Sequence, residues 1–210
     1  HFFALQGKKV LLVEAAAALR RMNRLLEIRE EGLFDFSDLL EGRCALENAL
    51  LPTHIAGLTL LQGPSAIDWV PQAASVQLLR EELSGTEQYE VLLWYCPPGA
   101  GALQKGLLPA AETLVLLTEV TPQSIEAAAK TADWWAGQGA RNLRTVFNRV
   151  GRRLPRDLGY PHLDAVLDAI GARLLGMIPE GADLPYSAAT GNIAARLCGE
   201  SRPLLAVYRP

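Results

Sequence analysis

The amino-acid sequence predicts an α/β fold of three layers, α/β/α, around a mostly parallel open sheet, and two observations carry that expectation. Six short apolar runs recur without polar alternation and stop at Gly, Pro or Asn, as strands buried on both faces do. Between several of them lie stretches with apolar residues at i, i+3 and i+4, the pattern of helices that turn one face to a core. Buried strands alternating with helices pair in parallel through right-handed crossovers.

The first run is "KVLLVE" (9–14), followed by "LTLLQ" (58–62) and "EVLLWY" (90–95). Residues 72–84, "QAASVQLLREELS", form the helical pattern before the third run. The fourth run, "TLVLLTE" (113–119), leads to a helix over 122–138 that opens on Pro122 and closes before Gly139, the usual placing of the two residues. "LRTVFN" (143–148), a short helix over 162–171 ended by Gly171, and "RLLGMIP" (173–179) complete the series. Of the adjacent Trp134 and Trp135, side chains about 100° apart on a helix, one is expected to pack on the sheet and the other to stay more open. Trp69 reads first as a core lid, with a cover over the nucleotide side as the alternative.

At 210 residues the chain suffices for one sizeable domain, and a single domain over 1–210 is expected. Half the residues are apolar and 20% charged, which excludes a disordered chain. A formal net charge of -3 offers no overall attraction to nucleic acid or acidic lipid. The apolar runs are far shorter than the ~20 residues that cross a bilayer, and nothing at the front reads as a signal peptide, so a cytoplasmic protein is expected. Cys44, Cys96 and Cys198 stand far apart and fit reduced thiols. With His1, His54 and His162 they make no zinc spacing, so no metal site of Cys and His is expected. Cys96 lacks a nearby histidine and is not read as a nucleophile. The most basic stretch, "GRRLPRD" (151–157), reads as a solvated loop.

In open α/β sheets ligands sit at the carboxyl ends of the strands. "LLWYCPPGAG" (92–101) is such an end: its prolines fix φ and its glycines let backbone N–H groups turn toward an anion. Taken alone, the same loop reads first as a tight exit from a buried strand.

"KVLLVEAAAALRRMNRLLEI" (9–28) followed by "DLLEGRCALENALLP" (38–52) resembles the MinD/ParA family of deviant-Walker P-loop ATPases, with "EGRC" (41–44) the specific fingerprint. "LLWYCPPGAG" is similar to the family's second switch, "TEVTPQSIEAAAKTADWW" to the segment that follows, and "VFNRV" and "IGARLLGMIPEG" to its later strands. The resemblance spans Lys8 to about Ala195. It implies a P-loop NTPase-like fold and a dimer, with itself or with a related protein, that holds ATP or ADP and Mg²⁺.

Carried over by position, the resemblance places the first switch's two aspartates on Glu14 and Ala16, and Ala16 cannot position a water. The second switch's strand-end aspartate falls on Tyr95, a phenol that brings no negative charge to Mg²⁺. The acid closing the late "IPED" motif is Gly181, with Glu180 kept. Asn148 matches the residue whose amide reads adenine; from the residue alone it reads as readily as a strand-end cap. Arg149 flanks the base or phosphates, or is a surface arginine; Glu14 holds a polar role, or is a strand-end carboxylate facing solvent. The cofactor-binding candidates are thus Asn148, Arg149, Glu14, Pro98, Gly99 and Glu180, with no catalytic and no metal-ligating residue expected.

No Walker A motif occurs in the sequence, whose opening "HFFALQGKK" resembles the end of the helix after that loop. In the family fold the strand before the loop is central, and its loss would leave buried backbone groups unpaired at ~1–3 kcal/mol each; a segment upstream of His1 is expected to supply it. The "ESRPLLAVYRP" tail lacks the amphipathic length of the membrane helix found in MinD-type relatives. The expected function is a MinD/ParA-like nucleotide-binding domain, degenerate for hydrolysis, acting through protein contacts in cell division or other positioning. Two alternatives stay open: an active ATPase whose phosphate loop lies outside this sequence, and an assembly partner that binds no nucleotide.

Overall fold

The computed structural model describes residues 1–16, 21–151, 158–181 and 186–204. Most of the basic stretch 151–157 and the end of the tail lie outside them, as do 17–20 and 182–185. The chain divides into two compact units, His1–Ala111 and Glu112–Pro210.

The first unit opens on a single helical turn, α1 (Phe2–Leu5), and then β1 (Val10–Glu14). Short helices α2 (Arg21–Leu25), α3 (Phe36–Leu40) and α4 (Leu46–Ala49) lead to strands β2 (Leu50–Pro52) and β3 (Leu58–Leu61). Helix α5 (Ala73–Gly85), β4 (Val91–Tyr95) and α6 (Ala102–Leu107) complete it. The sheet order is β2-β3-β1-β4. β1 lies between β3 and β4, parallel to both, and Val10, Leu11, Val13 and Glu14 are fully buried, as a strand with a neighbour on each side and helices above must be. β2 joins β3 antiparallel at the edge; a three-residue strand ending in Pro has too little pattern to be seen in the sequence. α5 buries Val76, Leu79 and Leu83, residues spaced three and four apart on one face, against a core with Leu11, Val13, Leu61 and Phe36. Trp69 packs edge-on to Phe36 at 5.3 Å, the lid expected of it.

The second unit is β5 (Leu114–Glu119), α7 (Pro122–Gly137), β6 (Leu143–Val150), α8 (Leu163–Ile170), β7 (Arg173–Pro179) and α9 (Tyr186–Leu197). Its strands run parallel in the order β5-β6-β7. Thr121 caps α7 by accepting the Ser124 N–H, and Pro122 sits where a missing N–H costs nothing. Ile125, Ala128, Ala132 and Trp135 form the buried face of α7, while Trp134 is the half-exposed member of the pair. α8 ends on Gly171 at φ 73°, a left-handed cap that glycine adopts without strain. α7 and α8 share a core with Phe147 and Val150. Ile193 and Leu197 of α9 pack on Val146, Leu175 and Ile178.

The open, mostly parallel α/β/α class is the one observed. Each of the six expected strands lies within two residues of its expected bounds. Each sheet ends on a parallel strand, β4 in one and β5 in the other, beside which the described residues place no further strand. On β5, Val115 and Leu117 are 43% and 61% exposed.

Candidate functional site

At the strand ends of the first unit the polar groups are buried. Glu14, the last residue of β1, is 0% exposed, which overturns the solvent-facing alternative for it. The sheet covers it, because β1 has a strand on each side. Its Oε1 accepts the backbone N–H of Arg21 at 2.9 Å and of Met22 at 3.3 Å. Gly63, just past β3, permits this: a Cβ there would stand 2.5 Å from the Ala16 carbonyl oxygen and 3.0 Å from Glu14 Cγ. Ala16 is buried and apolar.

Beside it lies a network that the sequence did not reveal. Gln62, fully buried, donates through Nε2 to the Gly32 and Phe34 carbonyls and accepts through Oε1 from Gly32 N–H and Asn23 Nδ2. Asp35 caps α3 by accepting from Ser37 and Asp38 N–H, and accepts from Ser65 N–H and Oγ at 2.9 and 2.7 Å. Burial pushes the Asp35 pKa up, but the hydrogen bonds from Ser37, Ser65 and Asp38 outweigh it and hold the carboxyl below its ordinary value. The cap was legible as "DFSD", an acid three residues before another; the reach of Asp35 to Ser65 was not.

Tyr95 ends β4 in register with Glu14, and its carbonyl accepts from Ala15 N–H at 2.8 Å. The chain then turns through Pro97, Pro98 and Gly99. Gly99 has φ 128°, a conformation open to glycine alone in practice. Gln104, buried on α6, fastens the loop by donating to the Pro97 carbonyl at 3.2 Å. The N–H groups of Gly99, Ala100 and Gly101 make no hydrogen bond among the described residues. Burial pushes the Cys96 thiol up to about 11 against the pull of a hydrogen bond with Gln104, so this cysteine is a thiol and no nucleophile at neutral pH.

The second unit's strand ends are open. Asn148 sits opposite Glu119 in the β5–β6 register, half-buried, and its amide makes no hydrogen bond among the described residues. The cap alternative therefore finds no partner there. Arg149 donates through Nη1 to Glu119 at 3.4 Å and through Nη2 to Glu180 at 3.1 Å. Asn148, Arg149 and Glu180 are thus brought together, and Glu119 joins them. Its signal was its place as the last residue of "TLVLLTE". Glu14, Pro98 and Gly99 share the other unit's strand ends.

No protein-family model matches the chain. A relative bearing the name septum site-determining protein MinD in Oltmannsiellopsis viridis is 30% identical over 182 residues, covering 83% of this chain and 55% of the relative's length. The structure of the MinC:MinD cell division protein complex of Aquifex aeolicus superposes with a TM-score of 0.83 at 26% identity, covering 97% of this chain and 88% of that one. This chain is a MinD/ParA-type P-loop ATPase relative. The septum site-determining protein MinD of Pyrococcus horikoshii, solved with Mg-ADP, shares the MinD/ParA fold at a TM-score of 0.73 and 18% identity, covering 93% of this chain and 86% of that one.

Against the MinD/ParA chemistry the donor set divides. No group of three or more His, Cys, Asp or Glu among the described residues could hold a metal ion. One Glu14 oxygen accepts backbone N–H groups and Tyr95 supplies no carboxylate, so these strand ends offer Mg²⁺ no pair of carboxylates. The Asn148 amide, without a hydrogen bond among the described residues and with donor and acceptor side by side, does fit the edge of a base.

Proposed function

We propose that residues 1–210 act as one MinD/ParA-like domain that binds adenine nucleotide weakly and hydrolyses it negligibly, working through protein contacts in cell division or another positioning system. The observation that supports the reading is the contrast between acids that are absent or engaged and an Asn148 amide that makes no hydrogen bond among the described residues. Ala16 and Tyr95 replace carboxylates, and Glu14 spends its Oε1 on two backbone N–H groups. A hydrolytic centre needs a group that orients water and a group that steadies metal, and none of these three supplies either. Asn148 keeps its amide open to a base edge. The unpaired N–H groups at Gly99 to Gly101 offer an anion backbone donors without positive charge, consistent with weak affinity.

The association of MinD with MinC in the Aquifex complex supports a protein partner for this chain, either a second copy or a related protein. No helix among the described residues is long and apolar enough to cross a membrane.

Titration of the 210-residue chain with a fluorescent ATP analogue, with and without Mg²⁺, tests the reading when phosphate release is followed on the same sample. Saturable binding, weakened in Asn148→Ala and without phosphate release, is expected. Turnover would overturn the reading of Ala16 and Tyr95; no binding at millimolar nucleotide would leave an assembly partner in place of a nucleotide-binding domain.

A further inference from the structure

The second unit carries an open groove of about 880 Å³ at the end of its sheet where β6 and β7 begin. The second half of α7 and the last turn of α8 form one side of it, and the starts of β6 and β7 form the other. Asn148 and Glu180 stand at the opposite ends of these strands. Along β6, Asn148 is roughly 17 Å from Leu143 at the groove.

The floor of the groove is apolar, with Ala132, Ile170 and Ala172 buried, and its rim holds four exposed charges. Asp133 and Asp168 stand on the helix side, Arg141 and Arg173 on the strand side. None of the four side chains makes a hydrogen bond or an ion pair among the described residues. Arg144, the register neighbour of Arg173, adds positive charge to the strand side. Its Nε donates to Asn142 Oδ1 at 3.0 Å, which leaves that charge without a carboxylate. The rim is thus sorted by side, negative on the helices and positive at the strand starts, rather than neutralised in pairs.

Size is sorted in the same way. On α7, Ala129 and Ala136 flank Asp133 at helical spacing, so small side chains surround the acid. The strand side carries the long arginines. A two-fold axis through such a patch turns each copy's strand side onto the other's helix side. Arg141 and Arg173 of one copy then meet Asp133 and Asp168 of the second, and the long side chains enter the hollow beside the alanines. Charge and volume both match when the patch meets itself in this orientation.

We propose that this groove is a self-association surface that seats a second copy of the chain across a two-fold axis, with arginine–aspartate pairs around an apolar floor. The surface needs no nucleotide, and it leaves the carboxyl ends of β6 and β7 free to meet a ligand of their own. Its lining is smaller than the ~20–30 residues a side of a standard interface, so the dimer is weak and reversible, with a dissociation constant of ~10–100 μM.

Sedimentation equilibrium of the 210-residue chain, without nucleotide and at concentrations that bracket that range, tests the proposal at low and high salt. The wild type should dimerise, and high salt should weaken the dimer ~3–10-fold, because exposed pairs are screened. Asp133→Arg/Asp168→Arg makes the rim wholly positive, and Arg141→Glu/Arg173→Glu makes it wholly negative. Each double variant alone should stay monomeric, and their equimolar mixture should dimerise. All four positions are exposed, so both variants should melt with the wild type. Ala136→Trp, also at an exposed position, fills the hollow without touching a charge and should abolish the dimer; it carries the test if a charge-reversed chain fails to fold. A wild type that stays monomeric would leave the groove to a different protein and overturn the second-copy assignment. So would a dimer that any folded variant keeps at wild-type strength, or one that forms only when ATP is added. A mixture that stays monomeric while the wild type dimerises would overturn the pairing of acids with arginines. Failure to bind nucleotide would move none of these results, so this inference and the nucleotide-binding reading fall separately.

Discussion

The two units end their strands in opposite ways. In the first, Glu14, Gln62, Asp35 and Gln104 are buried and bonded to backbone. In the second, Asn148 is half-buried and makes no hydrogen bond among the described residues, and Arg149, Glu119 and Glu180 lie open to water. The difference teaches where each polar residue does its work. A buried group whose partners are backbone N–H and C=O holds chain segments together, and its loss leaves those partners unpaired in a dry place. An exposed cluster contributes little to stability and is free to meet a ligand. Polar substitutions in the first unit should therefore cost stability, and those in the second should change binding.

The largest break of that contrast is at Glu14. Glu14→Ala strands two N–H groups and should cost ~3 kcal/mol in urea unfolding, with Glu14→Gln recovering part because an amide oxygen still accepts. A loss no larger than that of an exposed side chain would mean that Glu14 is no anchor.

Asp35 should follow, with a signature in pH. Because the folded carboxyl is held below its ordinary 3.8, the fold favours the ionised form. That stabilisation is complete above the unfolded value and is lost as pH falls through the folded one. Asp35→Asn should be destabilised by ~1–2 kcal/mol at neutral pH. The gap from wild type should hold constant from neutral pH down to about 5 and close below 3.8; a gap that widens in acid would reverse the assignment.

Thr145 sharpens the comparison from the other side. It is fully buried in β6 and its hydroxyl has no partner among the described residues. Thr145→Val, of the same shape, should raise stability by ~1 kcal/mol, seen as a higher melting temperature. A drop would reveal a partner for the hydroxyl.

The smallest effect is expected at Lys130, paired with Glu126 one helical turn away on the open face of α7. Lys130→Ala should leave the melting curve unchanged, as exposed i,i+4 pairs contribute little.

What was legible in the sequence follows from range. A strand buried on both faces writes its own apolar run, and Pro122 and Gly171 mark helix ends by chemistry confined to one turn, so the six strands and the helices α5, α7 and α8 could be read directly. The late motif "VFNRV" likewise placed Asn148 and Arg149 at a strand end, where β6 sets them. The short helices α2, α3, α4 and α6 escaped, since four to six residues hold too little periodicity to register, and α9 was not read either. Gln62 and Gln104 look like ordinary polar residues until the loops they fasten are in view.

By itself the sequence determined the α/β class and the order of strands along the chain, because composition and periodicity are local properties. Only the tertiary structure decided that Glu14 is buried, that Asp35 reaches Ser65, and that Glu119 and Glu180 hold Arg149 between them. Those contacts join residues about thirty positions apart, or depend on which strand lies beside which. Burial and long-range hydrogen bonding belong to the packed sheet, and no stretch of sequence carries them.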